Sequence, residues 1–230
     1  MPGVVCVVQS RMGSSRLPGK ALKPISGRQM LAHVLDRAKR IGGVARVVLA
    51  TSINANNDPL TWIADDLGVA SHRGDEHDVL GRFATIAAQY DADTIIRLTG
   101  DCPLLDPAVA ETVLRAFGLR GATVAYVSND TTTSGFPDGT DVEIMTRSAI
   151  LQADRAATSG PDREHVTRWI RRHMPTARVA HQQDLSWLKL SVDCQEDLDR
   201  VRQVFGYLED GDTSLAATVA AYRRAFPDGY

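Results

Sequence analysis

The sequence predicts an α/β fold: one domain built on a mostly parallel sheet with helices on both faces. Three observations carry this. Short β-branched runs alternate with amphipathic helical patterns over the first hundred residues, the order expected of parallel strands joined by crossover helices. The first run, Val4-Val5-Cys6-Val7-Val8, empties directly into a basic loop of small residues, and ligands of open α/β sheets bind outside the carboxyl ends of strands. No internal repeat, low-complexity tract or linker interrupts the 230 residues, a length sufficient for one sizeable core or two small ones.

Each element follows from its pattern. After the strand at 4–8, Met30, Leu31, Val34, Leu35 and Ala38 fall at helical spacing, and Gly42-Gly43 ends that helix. Residues 46–51 read as a second strand and 57–67 as a helix stopped by Gly68. Residues 69–72 form a third strand and 78–90 a helix. A fourth strand spans 94–99 and ends at Gly100-Asp101. A helix at 107–117 and a strand at 123–128 follow. Residues 129–141 are polar and turn-rich, which predicts a mobile loop. Beyond it come a short strand at 142–145, a helix at 148–157, and a helix with Pro161 in its first turn running to about 173. Strands are expected at 177–181 and 189–193, and helices at 196–208 and 214–226. Residues 130–188 read as a subregion inserted over the sheet, for acceptor binding or oligomerisation.

Composition excludes several classes. The hydrophobic and charged fractions, 43% and 23%, are those of a soluble globular enzyme. A net charge of -2 gives no broad attraction to nucleic acid or anionic membrane. No apolar run approaches the ~18 residues that span a bilayer, and no secretory signal is visible. Cys6, Cys102 and Cys194 are odd in number and widely spaced, which suits neither a disulfide framework nor a zinc site. A reducing cytoplasm fits. Neither Cys102 nor Cys194 has an evident His and acid partner for nucleophilic work.

The loop after the first strand, Gln9-Ser10-Arg11-Met12-Gly13-Ser14-Ser15-Arg16-Leu17-Pro18-Gly19-Lys20, reads as a phosphate-binding loop. Backbone N–H groups at Gly13, Ser14 and Ser15 can converge on an anion, while Arg11, Arg16 and Lys20 supply three cations. It is not a P-loop: Gly13 and Gly19 are one residue too far apart, and Lys20 is followed by Ala21 rather than a magnesium-binding hydroxyl.

Two aspartates share a context. Asp101 follows Gly100 at the end of the 94–99 strand, and Asp193 ends Lys189-Leu190-Ser191-Val192. Carboxylates at strand ends can hold magnesium against phosphates; each can equally cap the next helix. Further along, Arg73 precedes Asp75, Glu76 and Asp78, acids that can simply favour a helix N-terminus. Asp138, Asp141 and Glu143 can accept hydrogen bonds from hydroxyl or amino groups, although Pro137-Asp138-Gly139 is also a good turn. Arg163, Glu164 and His165 form a last polar cluster. Arg168, Arg171 and Arg172 lie on the face opposite Val166, Trp169 and Ile170, as a solvated stripe.

The loop motif, followed by Leu22, Pro24 and Gly27, resembles the N-terminal signature of the cytidylyltransferase superfamily that activates acidic sugars. The likeness is to 3-deoxy-manno-octulosonate cytidylyltransferases and above all to the spore-coat polysaccharide branch, over roughly residues 4–208. Gly100-Asp101-Cys102-Pro103 is similar to the Gly-Asp-acid-Pro motif of the octulosonate enzymes, and Val192-Asp193 with Glu196-Asp197-Leu198 to their late aspartate motif. Pro137-Asp138-Gly139-Thr140-Asp141-Val142-Glu143 and Asp162-Arg163-Glu164-His165 resemble spore-coat-branch patterns.

The resemblance implies a mixed-sheet nucleotide-diphospho-sugar transferase fold, transfer of CMP from CTP to an acidic sugar or related small-molecule acceptor, and release of pyrophosphate. It implies Mg2+ on Asp101 and Asp193, catalysis by Lys20 with Arg11 and Arg16, and nucleotide contacts from Gly13, Ser14, Ser15, Arg73 and Gly100. It leaves Asp138, Asp141, Glu143, Arg163, Glu164 and His165 for the acceptor. A homodimer is implied by analogy. Cys102 in place of an acid, and Thr99 where those enzymes carry glutamine, depart from the octulosonate pattern. A glycosyltransferase of related fold and a non-catalytic nucleotide-binding module are the alternatives.

Overall fold

The first strand, β1 (Gly3–Gln9), lies in the interior of a seven-stranded sheet. The structure is a computed structural model and describes residues 3–90, 92–209 and 211–227. After β1 come β2 (Pro24–Ile25), β3 (Arg28–Gln29), α1 (Met30–Lys39), β4 (Val44–Ser52), α2 (Asp58–Asp66), β5 (Ala70–Gly74), α3 (Val79–Gln89) and β6 (Ala92–Thr99). The second half holds α4 (Pro107–Arg120), β7 (Tyr126–Ser128), β8 (Glu143–Thr146), α5 (Arg147–Ala156), α6 (Gly160–Glu164), α7 (Arg168–His173), β9 (Thr176–Arg178), α8 (Gln195–Phe205) and α9 (Leu215–Ala225).

The strand order is β5-β4-β1-β6-β8-β7-β9. β5, β4, β1 and β6 run parallel, β8 is antiparallel to both β6 and β7, and β9 returns parallel to β7. The chain leaves β1 towards β4 on one side, while β6 arrives on the other. The carboxyl ends of β1 and β6 therefore flank a topological switch point, where a crevice opens.

Period-2 alternation divides the interior strands between two cores. Cys6, Val8, Leu49, Ile96 and Leu98 face the layer of α1, α2, α4 and α8. Val5, Val7, Val48, Ala50 and Ile95 face α3, α5 and α7. Being buried on both faces is what makes these strands near-continuous apolar runs.

Four expectations change. The helix predicted to run from Pro161 to 173 is two short helices, α6 and α7, broken where Val166 takes a left-handed backbone (φ 42°). Val166 is completely buried in the second core, as its spacing with Trp169 and Ile170 implied; the break itself, which no proline or glycine marks, was not foreseen. Residues 189–193 form no strand of the sheet and bend at Ser191 and Asp193: Lys189 makes one bridge to Asp138, and the Leu190 and Val192 amides donate to the carbonyls of Asp138 and Asp101. The strand expected at 123–128 starts only at Tyr126. The turn-rich segment 129–141 is irregular, yet Asn129, Ser134, Phe136 and Thr140 are buried, and the Asn129 side chain bonds Thr140 O and Val142 N. The β2–β3 hairpin was not foreseen; Ser26 and Gly27 both take positive φ at its two-residue turn.

Candidate active site

The loop from Ser10 to Lys20 is held by its own amides: Met12 N donates to Asn57 Oδ1, Ser14 N and Gly19 N to Met12 O, and Leu17 N to Ser14 Oγ. Gly19 at φ 67° turns the chain into a short 3-10 turn, a conformation that suits glycine. That turn aims Lys20 across the sheet at the end of β6.

There Lys20 Nζ meets Asp101 Oδ2 at 2.8 Å, Asp193 Oδ1 at 3.3 Å and the Val192 carbonyl at 2.7 Å. Arg16 reaches the same Asp193 oxygen at 3.0 Å. Two aspartates far apart in sequence thus converge because residue 101 ends a sheet strand and the 189–193 segment docks beside it. Burial pushes the Asp101 carboxyl up, but the Lys20 ammonium and the Thr99 hydroxyl outweigh it and hold it below its ordinary value. Gly100 lets β6 close on β1, since a Cβ there would lie 2.7 Å from Ser10 Cβ.

Two chambers meet at this point. The first, about 310 Å³, lies between the basic loop and α3 and is lined by Arg11, Gly13, Ser14, Ser15, Arg16 and Lys20 together with Gly100. The second, about 720 Å³, opens towards β7 and β8 and is lined by Asp138, Asp141 and Glu143, with Arg168, Arg171 and Arg172. Arg97, Thr99, Asp101, His165 and Asp193 line both.

Glu164 joins the first chamber through an ion pair with Arg11 at 3.2 Å, and the α6–α7 break sets His165 in the shared wall. Asp138 accepts from Ser191 Oγ at 2.9 Å, and burial raises its carboxyl above the ordinary value. Asp141 accepts from Thr131 Oγ1 and Gly139 N. Glu143 is less free than expected of a substrate contact: it is bound to Arg97, to Tyr126 Oη at 2.6 Å and to Thr167 Oγ1 at 2.6 Å.

Two predicted residues are placed elsewhere. Arg73 lines neither chamber; it pairs with Asp58 at 2.7 Å and donates to the carbonyls of Ser52 and Asn54, tying down the β4–α2 connection. Arg163 is held by Asp78 and Asp154 and braces α6 against α3 and α5. Asp78 is the N-cap of α3, accepting from Gly81 N. Cys102 is buried and in contact with Thr99 Oγ1; burial, then Asp101 and Asp141, push its thiol well up, so it is a neutral filler.

Sequence reasoning missed Arg82 and Arg97, and gave Gln9 and Ser10 no individual role within the loop. Arg82 was detectable: it sits on the apolar stripe of α3 between Val79 and Phe83 and is buried, where an arginine is uncommon.

The oxygen set at Lys20 fits a hard divalent cation. Asp101, Asp193 and the Val192 carbonyl already gather on one positive charge, and magnesium is commonly bound through one or two carboxylates plus substrate phosphates. Among the described residues no group of three or more His, Cys, Asp or Glu forms a metal cage of its own.

Comparison with known proteins places the chain in a family. The sequence model of the Cytidylyltransferase family matches residues 5–204. The spore coat polysaccharide biosynthesis protein SpsF of Bacillus subtilis is 28% identical over 89% of this chain and 87% of its own length. A 3-deoxy-manno-octulosonate cytidylyltransferase of Escherichia coli is 32% identical over 74% of this chain and 70% of its own. The solved structure of a cytidylyltransferase from Leptospira borgpetersenii serovar Hardjo-bovis superposes with a TM-score of 0.92, at 27% identity over 97% of this chain and 95% of that one.

Proposed function

The chain belongs to the cytidylyltransferase family, and from that premise we propose that it transfers CMP from CTP to an acidic sugar, releasing pyrophosphate. The observation that carries this reading is the meeting of a cation-lined chamber and a hydrogen-bonding chamber at Asp101 and Asp193.

In this reading Arg11, Arg16 and Lys20 hold the triphosphate in the first chamber. The acceptor occupies the second, its hydroxyl groups facing Asp138 and Asp141 and its carboxylate facing the arginines at 168, 171 and 172. An acceptor hydroxyl oxygen then attacks the α-phosphorus in line, its proton passes to solvent water, and the bond from the α-phosphorus to the bridging oxygen breaks, releasing pyrophosphate. Such transfer depends on positioning and charge neutralisation more than on a protein nucleophile, and the neutral, buried Cys102 suits that. Magnesium held by Asp101 and Asp193 would supply positive charge at the α-phosphate. The loop cations neutralise the charge gathering on the leaving pyrophosphate. A diphosphate bound through metal in a glycosyltransferase needs less positive charge than this loop offers.

No helix of the described residues is long and apolar enough to cross a membrane; we place the reaction in the cytoplasm. Residues 130–188 supply most of the acceptor chamber in this reading. A homodimer is part of the proposal, to be checked by light scattering on the full chain.

The test is pyrophosphate release from CTP at saturating magnesium with a panel of sugar acids that includes 3-deoxy-manno-octulosonate. Lys20→Ala and Asp101→Asn should each abolish it. Wild-type release by either variant would sink the assignment. Thermal shifts with the four NTPs check the base: a stabilisation confined to CTP is expected, since a ligand at 100 times its Kd adds about 2.7 kcal/mol.

A further inference from the structure

We infer that Lys20 is the resident cation of the Asp101–Asp193 site, and that a divalent cation enters only when a nucleotide's phosphates draw the ammonium away. This rests on the proposed placement of magnesium at those two carboxylates.

The ammonium's three N–H donors have three acceptors, at 2.8 Å on Asp101, 3.3 Å on Asp193 and 2.7 Å on the Val192 carbonyl. An ammonium has three donors and no acceptor, so its complement is full. These are also the oxygens that would receive a metal. The main-chain one is fixed, because the amide of the same peptide unit, Asp193 N, donates to Asp197 Oδ2 at 2.9 Å. Arg16 lies on Asp193 Oδ1 at 3.0 Å, and Lys189 approaches Asp193 Oδ2 at 3.5 Å.

Asp101 and Asp193 thus face Lys20 and Arg16 in the nucleotide-free protein, while Lys189 is shared with Asp197, which it meets more closely at 3.0 Å. A lone divalent ion would have to enter beside two cations already seated on those carboxylates, and repulsion between cations a few ångströms apart is strong where water is scarce. A triphosphate changes the balance. Lys20 also lines the first chamber, and its flexible four-carbon stem lets the ammonium move to a phosphate oxygen while the 3-10 turn stays in place. The two carboxylates are then released as the negative charge arrives. Nucleotide and metal therefore load as a unit, and metal does not precede nucleotide.

The experiment measures Mn2+ binding to the full chain by electron paramagnetic resonance without nucleotide. It compares wild type, Lys20→Met, Lys20→Gln and the double variant Lys20→Met with Asp101→Asn. The neutral variants should bind one Mn2+ about tenfold more tightly than wild type or better, and the gain should vanish in the double variant. Wild type binding Mn2+ as tightly as the neutral variants would overturn the inference, as would a gain that survives Asp101→Asn. Should the variants fail to fold, wild type decides alone: water-proton relaxation must show Mn2+ affinity rising on addition of CTP beyond that of Mn·CTP free in solution, and an unchanged affinity refutes the exchange. Repeating this with UTP and GTP separates the two readings. A rise with all nucleotides leaves the cation exchange standing and removes the preference for CTP.

Discussion

The carboxylate of Glu143 on β8 is bound to the guanidinium of Arg97 on β6, in the wall that both chambers share. The pair does not stand alone. Tyr126 Oη and Thr167 Oγ1 also donate to Glu143, and Arg97 Nε donates to Gln9 Oε1 at 2.9 Å. One carboxylate therefore links β6, β7 and the α6–α7 break, and through Arg97 the end of β1.

Glu143→Ala leaves that guanidinium without its counter-charge and two hydroxyls without their acceptor. Breaking one partner of a buried pair costs about 3 kcal/mol, and urea denaturation should read a loss of that order. Glu143→Gln keeps the shape and should lose less. An alanine variant as stable as wild type would show that the network carries no weight.

Asp197 orders Asp193. Its Oδ2 accepts from the amides of Asp193 at 2.9 Å and Cys194 at 3.1 Å, while Lys189 and Arg200 pair with it at 3.0 and 2.7 Å. Burial pushes this carboxyl up, but the hydrogen bonds from Arg200, Lys189 and the Asp193 amide outweigh it and hold it well below the usual range. A carboxyl depressed in the folded state contributes stability that is present above its unfolded value and lost as pH falls through the folded one. Asp197→Asn should thus destabilise at pH 7, and its gap to wild type should narrow as both are denatured at successively lower pH below about 4. A gap independent of pH would exclude this linkage.

Gly100 tests how closely β1 and β6 must approach. A Cβ there would stand 2.7 Å from Ser10 Cβ and 3.0 Å from the Gln9 carbonyl. Gly100→Ala must displace Asp101, and misplacement of about 1 Å can cost of order a hundredfold in rate. We expect kcat for pyrophosphate release to fall at least tenfold on that basis. Adding Ser10→Gly, which removes the nearest atoms, should restore part of it. A double variant no better than the single one would point to the Gln9 carbonyl as the obstacle.

The parallel half of the sheet was legible because β1, β4 and β6 are largely apolar on both faces and the first two helices are followed by glycine stops, Gly43 and Gly68; the polar edge strand β5 was legible from its place in the alternation. Asp101 was legible for a related reason: it lies just past the end of β6, where an open sheet exposes its ligands. Lys20 and Asp193 lie in no strand end and were legible through the loop motif and the late aspartate motif. What sequence could not show is competition between side chains. Arg73 and Arg163 carry the same charge as Arg16, but the acids that folding brings to them, Asp58 for one and Asp78 with Asp154 for the other, lie outside both chambers, whereas that of Arg16 is Asp193. Glu143 lines the second chamber, yet donors from three other segments saturate it. The break at Val166 was hidden because tertiary burial overrides the helical pattern on either side of it.

Val166 offers the sharpest test of that override. Its side chain is fully buried, so truncation loses apolar burial worth about 1.5–3 kcal/mol for the whole group. Its backbone, at φ 42°, is in a region where a β-branched residue is strained by about 1–3 kcal/mol. Alanine removes most of the burial while keeping a Cβ and much of the strain. Glycine removes slightly more burial but all of the steric strain, at an entropic cost of about 0.5–1 kcal/mol relative to alanine. The two effects predict an inverted order: Val166→Gly should be no less stable than Val166→Ala in urea denaturation, against the usual rule that glycine is worse. It should also keep His165 in the shared wall, so its KM for the acceptor should stay near that of wild type. If glycine proves the more destabilising by 1 kcal/mol or so, the left-handed turn is not strained and the break between α6 and α7 is held by Thr167 and Glu143 alone.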